Sequence, residues 1–218
     1  MAGWEIMRGS LSKKLLDNFG QTYSQELGIK LKSGKSSEIF KWFLASLLFG
    51  KRIGENIAKK TYFLFAERGV LTPDKILQTG WDGLVKILDE GGYVRYDFST
   101  ADRLLEIMKE LKEKYQGNLN KLHQKAKNAK DLEEKLQEFK GVGPVTTNIF
   151  LRELRGIWKK ANPELSPFVL LAARKLKIGD PKRYWEKHKV KGYDFTNFEA
   201  ALLRLGKDWF HKGKVWKP

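Results

Sequence analysis

A glycine-rich turn between two apolar segments carries the clearest chemistry in this sequence. The turn reads Lys140-Gly141-Val142-Gly143, and Pro144 follows it directly. Gly141 and Gly143 allow a tight hairpin, because glycine accepts positive φ and lets another backbone approach closely. Val142 is expected to point inward. Pro144 suits the first turn of a second helix, where its missing N–H costs nothing.

A helix that starts at such a turn presents free N–H groups and the positive end of its dipole, which together bind an anion. The partner indicated is phosphate, and contacts to phosphate position DNA without reading its sequence. Lys140 adds charge beside the turn. The alternative is an ordinary glycine turn between two packed helices. The predicted DNA contacts of this segment are Lys140, Gly141, Val142, Gly143 and Thr146.

The charge of the chain favours a polyanionic partner. The 218 residues carry a formal charge of +16, and the segment from Arg174 to Pro218 has thirteen Lys or Arg against five Asp or Glu, a net +8. A strongly basic protein fits a nucleic acid. A lysine-rich surface of a heat-tolerant protein is the alternative. An anionic membrane is disfavoured, because the basic residues do not gather on one amphipathic helix.

Several classes of site and location are disfavoured by composition. The chain has no cysteine, which excludes disulfides, thiolate zinc sites and iron–sulfur clusters. Its histidines, His123, His188 and His211, have no metal-ligand spacing. We therefore expect no metal and no cofactor. No apolar run approaches the ~20 residues that cross a bilayer, and residues Met1 to Ser10 lack the apolar stretch expected of a signal peptide. The predicted location is cytoplasmic or nucleoid-associated.

The elements that must position the turn are helices, since apolar residues recur at helical spacing and alternating strand patterns are nearly absent. We predict an all-α protein of roughly ten short helices. Caps and glycines mark their ends. The predicted helices are one capped by Ser36 or Ser37 and ended by Gly50, then Gly54–Glu67, a short one opened by Thr72-Pro73, Trp81–Leu88, one from Ser99 or Thr100 to Lys114, Leu132–Phe139 capped by Asp131, Thr146–Gly156, Phe168–Leu176 capped by Ser166, and Asn197–Phe210.

The hairpin belongs to a wider resemblance. Most of the chain resembles the helix-hairpin-helix DNA glycosylase superfamily, which includes endonuclease III and 8-oxoguanine glycosylases. The resemblance extends from about Ser36 to Trp216. Besides the hairpin, four segments carry the resemblance: Phe40 to Lys51, Lys86 to Tyr96, Lys114 to Asn118 and Leu203 to Phe210. The last resembles the helix that precedes an iron–sulfur loop in some members, but no cysteine follows it here.

The resemblance implies two helical subdomains with a lesion-binding cleft between them, and base flipping as the route to a stacked base. We expect residues 36–130 to form the first subdomain and 131–218 the second, with 1–35 packing on the core, most simply on the second subdomain. The loop Gly50-Lys51-Arg52 and the loop Val94-Arg95-Tyr96 would approach the DNA near the flipped base. Ordinary basic loops are the alternative for both.

The catalytic positions of the family are not matched. The lysine that forms a Schiff base in bifunctional members corresponds to Val145, which has no nucleophile. The aspartate that offsets charge on the sugar corresponds to Ser166, which can cap a helix but holds no negative charge. Glu164 is the nearest carboxylate, although a solvated loop acid is the simpler interpretation. Lys159 and Lys160 lie in the same loop and are better placed for phosphate than for sugar.

Two functions follow from the resemblance. The first is a base-excision-repair protein that acts as a monofunctional DNA glycosylase and removes damaged bases. The second is a catalytically degenerate protein of the same fold that binds damaged or structured DNA. In both, the partner is double-stranded DNA that carries damage, no membrane is involved, and we expect a monomer. A helix-hairpin-helix accessory module of another assembly is a third interpretation, which the near full-length resemblance disfavours.

Overall fold

The computed structural model describes the backbone of residues 2–216 and the side chains of residues 11–216. This part of the chain is 67% helical and contains no strand, which confirms the all-α class. Two short 3₁₀ turns, Leu31–Ser33 and Phe210–Lys212, accompany the α-helices. The helices are α1 (Ala2–Phe19), α2 (Tyr23–Glu26), α3 (Ser36–Phe49), α4 (Glu55–Glu67), α5 (Pro73–Gly91), α6 (Asp97–Tyr115), α7 (Leu119–Lys125), α8 (Ala129–Gln137), α9 (Pro144–Arg152), α10 (Pro167–Lys175), α11 (Pro181–Lys187) and α12 (Phe195–Asp208).

The chain divides into two compact units. The central unit is Leu27–Pro163, and the terminal unit combines the first 26 residues with those from Glu164 onward. The hairpin lies in the central unit. The loop around Ser166 belongs to the terminal unit.

Helix α3 forms the core of the central unit. Its side chains Trp42 and Phe43 are fully buried, and the Trp42 indole Nε1–H donates to the Phe150 carbonyl in α9 at 3.0 Å. Burying both rings stabilises the fold by several kcal/mol, at ~1.5–3 kcal/mol for each large apolar side chain. This packing fixes α9, and so the hairpin, on α3.

Helices α5 and α6 form the longest antiparallel pair of the central unit. Two helices were predicted where α5 lies, and the structure has one element with a break at Gly80, where φ is 68° and ψ is 178°. The Asp74 carboxylate pairs with Lys112 across this pair. Helix α5 extends to Gly91, three residues beyond the predicted end at Leu88, and Gly92 is its C-cap residue.

The terminal unit is built on α12, which packs against α1 and α10. A Cβ atom on Gly206 would lie 2.0 Å from the Phe168 carbonyl oxygen, so only glycine allows α12 to approach the start of α10 this closely. Phe198 is fully buried and stacks on Tyr184 and Trp185 of α11 at 5.8 and 5.3 Å.

Some predicted helix caps are confirmed and others are wrong. Thr72 and Ser166 each accept a hydrogen bond from the backbone of the following turn, as predicted. Ser36, by contrast, lies inside α3 behind Lys35 and donates instead to the Asn118 side chain at 2.9 Å. A hydroxyl that finds a tertiary partner no longer serves the local cap.

The other two cap predictions are shifted along the chain. Asn128, not Asp131, caps α8, and the Asp131 N–H donates to it at 2.9 Å. Tyr96 is the N-cap residue of α6, so the predicted caps Ser99 and Thr100 lie within the helix. No helix in the described part of the chain is long and apolar enough to span a bilayer.

Candidate nucleic-acid interface

The hairpin is the turn that joins α8 to α9. Gly141 has φ of +88°, in the left-handed region where glycine is favoured. Val142 is buried, 3% exposed, and its N–H donates to the Phe139 carbonyl at 2.9 Å. The predicted inward direction of Val142 is therefore confirmed, and its side chain is covered by protein.

A cluster of aromatic rings holds the two sides of the hairpin together. The Phe43 ring of α3 lies 6.2 Å from that of Phe139, before the turn, and 5.1 Å from that of Phe150, after it. Tyr115 adds an edge contact to Phe139 at 6.2 Å. All of these ring contacts lie on the side of the hairpin that faces the protein core. The backbone of the turn therefore remains at the protein surface.

Helix α9 begins without the usual compensation of its positive end. Gly143 is its N-cap residue and supplies no side chain, and Pro144 has no N–H to satisfy. The first helical hydrogen bond is donated by Thr147 to the Gly143 carbonyl at 3.0 Å. The N–H groups of Val145 and Thr146 precede that bond and are left for a ligand or water.

Other helices compensate the partial positive charge of their N-termini in one of two ways. Among the other helices from α3 to α12, those with a capping side chain use it to accept a backbone N–H, and α3, α4 and α6 instead place an acid in the first turn: Glu38, Glu55 and Asp97. Among α3 to α12, α9 alone has neither a capping side chain nor a first-turn acid. Its dipole is therefore the one most open to an anion.

The two glycines of the hairpin differ in what they permit. A Cβ atom on Gly141 would lie 2.6 Å from Cδ of Arg103, in addition to the strain of its positive φ. Gly143 has an ordinary extended conformation, with φ −94° and ψ −179°, and a Cβ atom there would have no neighbour within 4 Å. Gly141 is therefore required by the fold, while Gly143 leaves open space in front of α9.

The loop after α3 lies beside the start of α9. A Cβ atom on Gly50 would be 2.0 Å from Oγ1 of Thr146, so the two backbones meet as closely as glycine allows. The Thr146 side chain is 4% exposed and packs on Gly50, so it is a packing group; only its backbone N–H remains for DNA. Lys51 is half-buried and Arg52 exposed in this loop.

The loop that carries Arg95 is anchored to the same end of α3. Tyr93 is fully buried, and its phenol donates to the Leu48 carbonyl. Burial raises the pKa of Tyr93 above its usual value, so the phenol stays a hydrogen-bond donor. Arg95 itself is exposed. Two segments that are distant in sequence, 50–52 and 92–96, thus both lie against the C-terminal end of α3.

Lys140 and Arg103 complete the basic surroundings of the hairpin. The Lys140 ammonium pairs with Glu106 of α6 at 2.9 Å, and its side chain is 72% exposed. A pair this exposed is worth at most ~1 kcal/mol and is easily exchanged for a phosphate. Arg103 lies against Gly141. Sequence reasoning missed Arg103, because nothing local in the sequence links α6 to the turn. We call Lys51, Arg52, Arg95 and Lys140 the flanking cations.

The positions that the resemblance linked to catalysis have other surroundings. Val145 is 64% exposed on the first turn of α9. Ser166 is the N-cap of α10, and its Oγ accepts the Val169 N–H at 3.4 Å. Glu164 lies exposed in the preceding loop. The Lys160 ammonium donates to the His123 carbonyl at 2.9 Å, so it is engaged by backbone.

No known family model matches this chain, and no curated protein resembles it closely enough to count as a relative. Within the described residues, no group of three His, Asp or Glu side chains is arranged to hold a metal ion.

Proposed function

We propose that this protein binds the phosphate backbone of double-stranded DNA, with the N-terminus of α9 as the anchor. The observation that carries the proposal is the uncompensated start of α9, where Gly143 leaves open space before two free N–H groups. A phosphate placed there gains charge-assisted hydrogen bonds and the helix dipole. The flanking cations add attraction to neighbouring phosphates, and the net charge of +16 favours the encounter.

We further propose that the biological role is base excision repair, as a monofunctional DNA N-glycosylase that reaches its base by flipping. The support is the resemblance of the hairpin, the two loops and the last helix to the glycosylase superfamily. Val145 stands where a Schiff-base lysine would be needed, so base removal without strand cleavage is the chemistry that fits. The implied cleft and the monomeric state stay predictions.

A specific observation favours the alternative of a non-catalytic protein that binds damaged DNA. Ser166 stands at the position of the family carboxylate, and its hydroxyl is engaged in capping α10. Losing one well-placed electrostatic group typically costs about 10²–10³ in rate. Base removal without that group would favour lesions whose glycosidic bonds are already weak, such as alkylated purines, over uracil or 8-oxoguanine.

The test is a panel of duplexes, each with one lesion, assayed with the native protein, Ser166→Asp and Glu164→Gln. Aspartate is as good an N-cap as serine, so Ser166→Asp should fold normally and speed the excision of uracil by up to about 10²–10³. Rapid uracil or 8-oxoguanine excision by the native protein, unaffected by Glu164→Gln, would contradict this interpretation of the site. Tight binding of abasic DNA with no excision of any lesion would select the non-catalytic alternative.

Strand cleavage supplies a second readout on the same duplexes. We expect no adduct to be trapped by borohydride, because Val145 stands where the nucleophilic lysine would be needed. Lys140 is solvent-exposed, and the Lys160 ammonium donates to backbone carbonyls. A trapped protein–DNA adduct that disappears on mutation of a single lysine would show that the protein is bifunctional.

A further inference from the structure

Two exposed aromatic rings lie in contact on the central unit. Trp81 is 39% exposed and Phe98 is 57% exposed, and their ring centroids are 5.2 Å apart at an interplanar angle of 40°. Single exposed apolar side chains are ordinary on a protein surface. Two large rings in contact, however, form a continuous apolar area that water covers at a cost in free energy, and such areas mark binding surfaces.

The indole of Trp81 is held in a fixed orientation. Its Nε1–H donates to Oδ1 of Asp102, one helical turn beyond Phe98 on α6, at 2.9 Å. The hydrogen bond satisfies the polar edge of the indole, while its apolar surface stays open and meets the Phe98 ring on one side. The pair is thus an ordered surface on which a flat group can stack.

A surface cavity of about 390 Å³ runs along α6 from Asp102, the hydrogen-bond partner of Trp81, to the hairpin, although neither ring of the pair lines it. Asp102, which binds Trp81, lines one part of it, and Lys140 of the hairpin lines another. The cavity also has Arg103 and Lys109, and a second acid, Glu106. Both acids have cationic or N–H partners, because Asp102 accepts from the indole and Glu106 pairs with Lys140.

The combination of stacking rings with cations indicates the class of ligand. Surfaces that bind single-stranded nucleic acid pair aromatic rings, on which bases stack, with cations that follow the backbone. Every base has a π face, so this contact is tolerant of sequence. An apolar side chain of a protein partner would use the rings but would gain nothing from Arg103 and Lys109.

We propose that Trp81 and Phe98 form a stacking surface for unpaired nucleobases of a DNA strand whose backbone the hairpin holds. This inference rests on the proposed DNA binding and adds a preference to it. The protein favours duplexes that carry a gap, bulge or displaced strand over fully paired ones, and the preference resides in the aromatic pair.

The experiment compares two labelled ligands by fluorescence anisotropy: a fully paired duplex, and the same duplex with a short gap of unpaired thymidines. The variants are Trp81→Ala and Phe98→Ala, with Trp81→Phe as the conservative form. Phe63→Ala is the matched control, because Phe63 is an aromatic of the same unit with 43% exposure and contacts Tyr62, not the pair. Thermal unfolding of each variant checks its fold.

The wild type should bind the gapped duplex more tightly than the paired one. Each alanine variant should weaken gapped binding by between about 5-fold and 150-fold, the range for stacking one base, and leave paired binding unchanged. Trp81→Phe and Phe63→Ala should retain gapped binding. Gapped DNA should also quench part of the tryptophan fluorescence, and that part should be absent in Trp81→Phe.

Equal wild-type affinity for both ligands, or equal losses on both in the alanine variants, would overturn the stacking surface while leaving the proposed DNA binding intact. No binding of either duplex would overturn the proposed function and this inference together. Concentration-dependent self-association of the wild type that Trp81→Ala abolishes, with DNA affinity unchanged, would assign the pair to a protein contact and overturn the proposal.

Discussion

Replacing Gly143 by aspartate should change protein stability and DNA affinity in opposite directions. The backbone at Gly143 already has the extended conformation of an N-cap, with φ −94° and ψ −179°, close to that of the capping Asp194 at −122° and 179°. The new side chain would have no neighbour within 4 Å of its Cβ. An aspartate there can therefore cap α9 and neutralise its dipole, and it places a carboxylate where the phosphate would bind.

The expected magnitudes follow from those two roles. Gly is a few tenths of a kcal/mol poorer than Asp as an N-cap, and a carboxylate at a helix N-terminus adds about 0.3–1 kcal/mol. The gain of about 0.5–1 kcal/mol should raise the unfolding temperature by about 1–4 °C. Losing one charge-assisted hydrogen bond to phosphate costs about 1.5–3 kcal/mol, so the Kd for any duplex should rise by about 10-fold or more.

Two matched variants separate the causes. Gly143→Asn caps the helix without charge, so it should stabilise the protein and weaken DNA binding less than aspartate does. Gly143→Val should weaken binding to every duplex alike through bulk. Gly141→Ala should instead destabilise the fold by about 1–3 kcal/mol, because φ of +88° strains any side chain. A Gly143→Asp protein with wild-type affinity in anisotropy titrations would refute the role given to α9.

Three further predictions follow from the same structure. Raising the KCl concentration from about 50 to 200 mM should weaken duplex binding by about 100-fold if the four flanking cations each contact one phosphate. A duplex affinity that does not change with salt concentration would contradict these phosphate contacts. Gly50→Ala should lower the unfolding temperature, because its Cβ would lie 2.0 Å from Oγ1 of Thr146, a clash worth about 1–3 kcal/mol. Adding Thr146→Ala removes Oγ1 but leaves the Cβ of residue 146 at 3.1 Å, so it should restore part of the loss, and no recovery would contradict the clash as the cause. Burial, and next the nearby Lys160 charge, lowers the pKa of His123. The neutral imidazole therefore stabilises the fold above the unfolded pKa of about 6.5, and this contribution is lost as the pH falls below that value. The unfolding temperature of the wild type should fall more steeply with decreasing pH below about 6.5 than that of His123→Gln, and equal slopes would contradict the assignment.

The sequence predicted the features of the hairpin that depend on neighbours in the chain. A glycine at positive φ in the turn, Val142 pointing inward and Pro144 opening a helix all follow from local backbone chemistry, and the structure confirms them. The positive φ is at Gly141 alone, because Gly143 has an extended backbone. The all-α class also followed, because helical periodicity is a property of each segment by itself.

Contacts between distant segments could not be predicted in this way. Thr146 was predicted to contact DNA, but Gly50, almost a hundred residues earlier, covers its side chain. Arg103 reaches Gly141 from α6. Ser36 does not cap α3, because its hydroxyl donates to the Asn118 side chain instead. Periodicity shows which face of a helix is buried, but it does not show which element covers that face.

The most direct test of the account is a titration of ¹⁵N-labelled protein with a short paired duplex, followed by amide NMR. The account predicts that the largest shifts are those of the Gly143, Val145 and Thr146 amides at the start of α9, followed by the loops at 50–52 and 92–96. Shifts confined to the basic segment 174–191, with the α9 amides unmoved at saturation, would show that DNA binds elsewhere and that the hairpin is an ordinary turn.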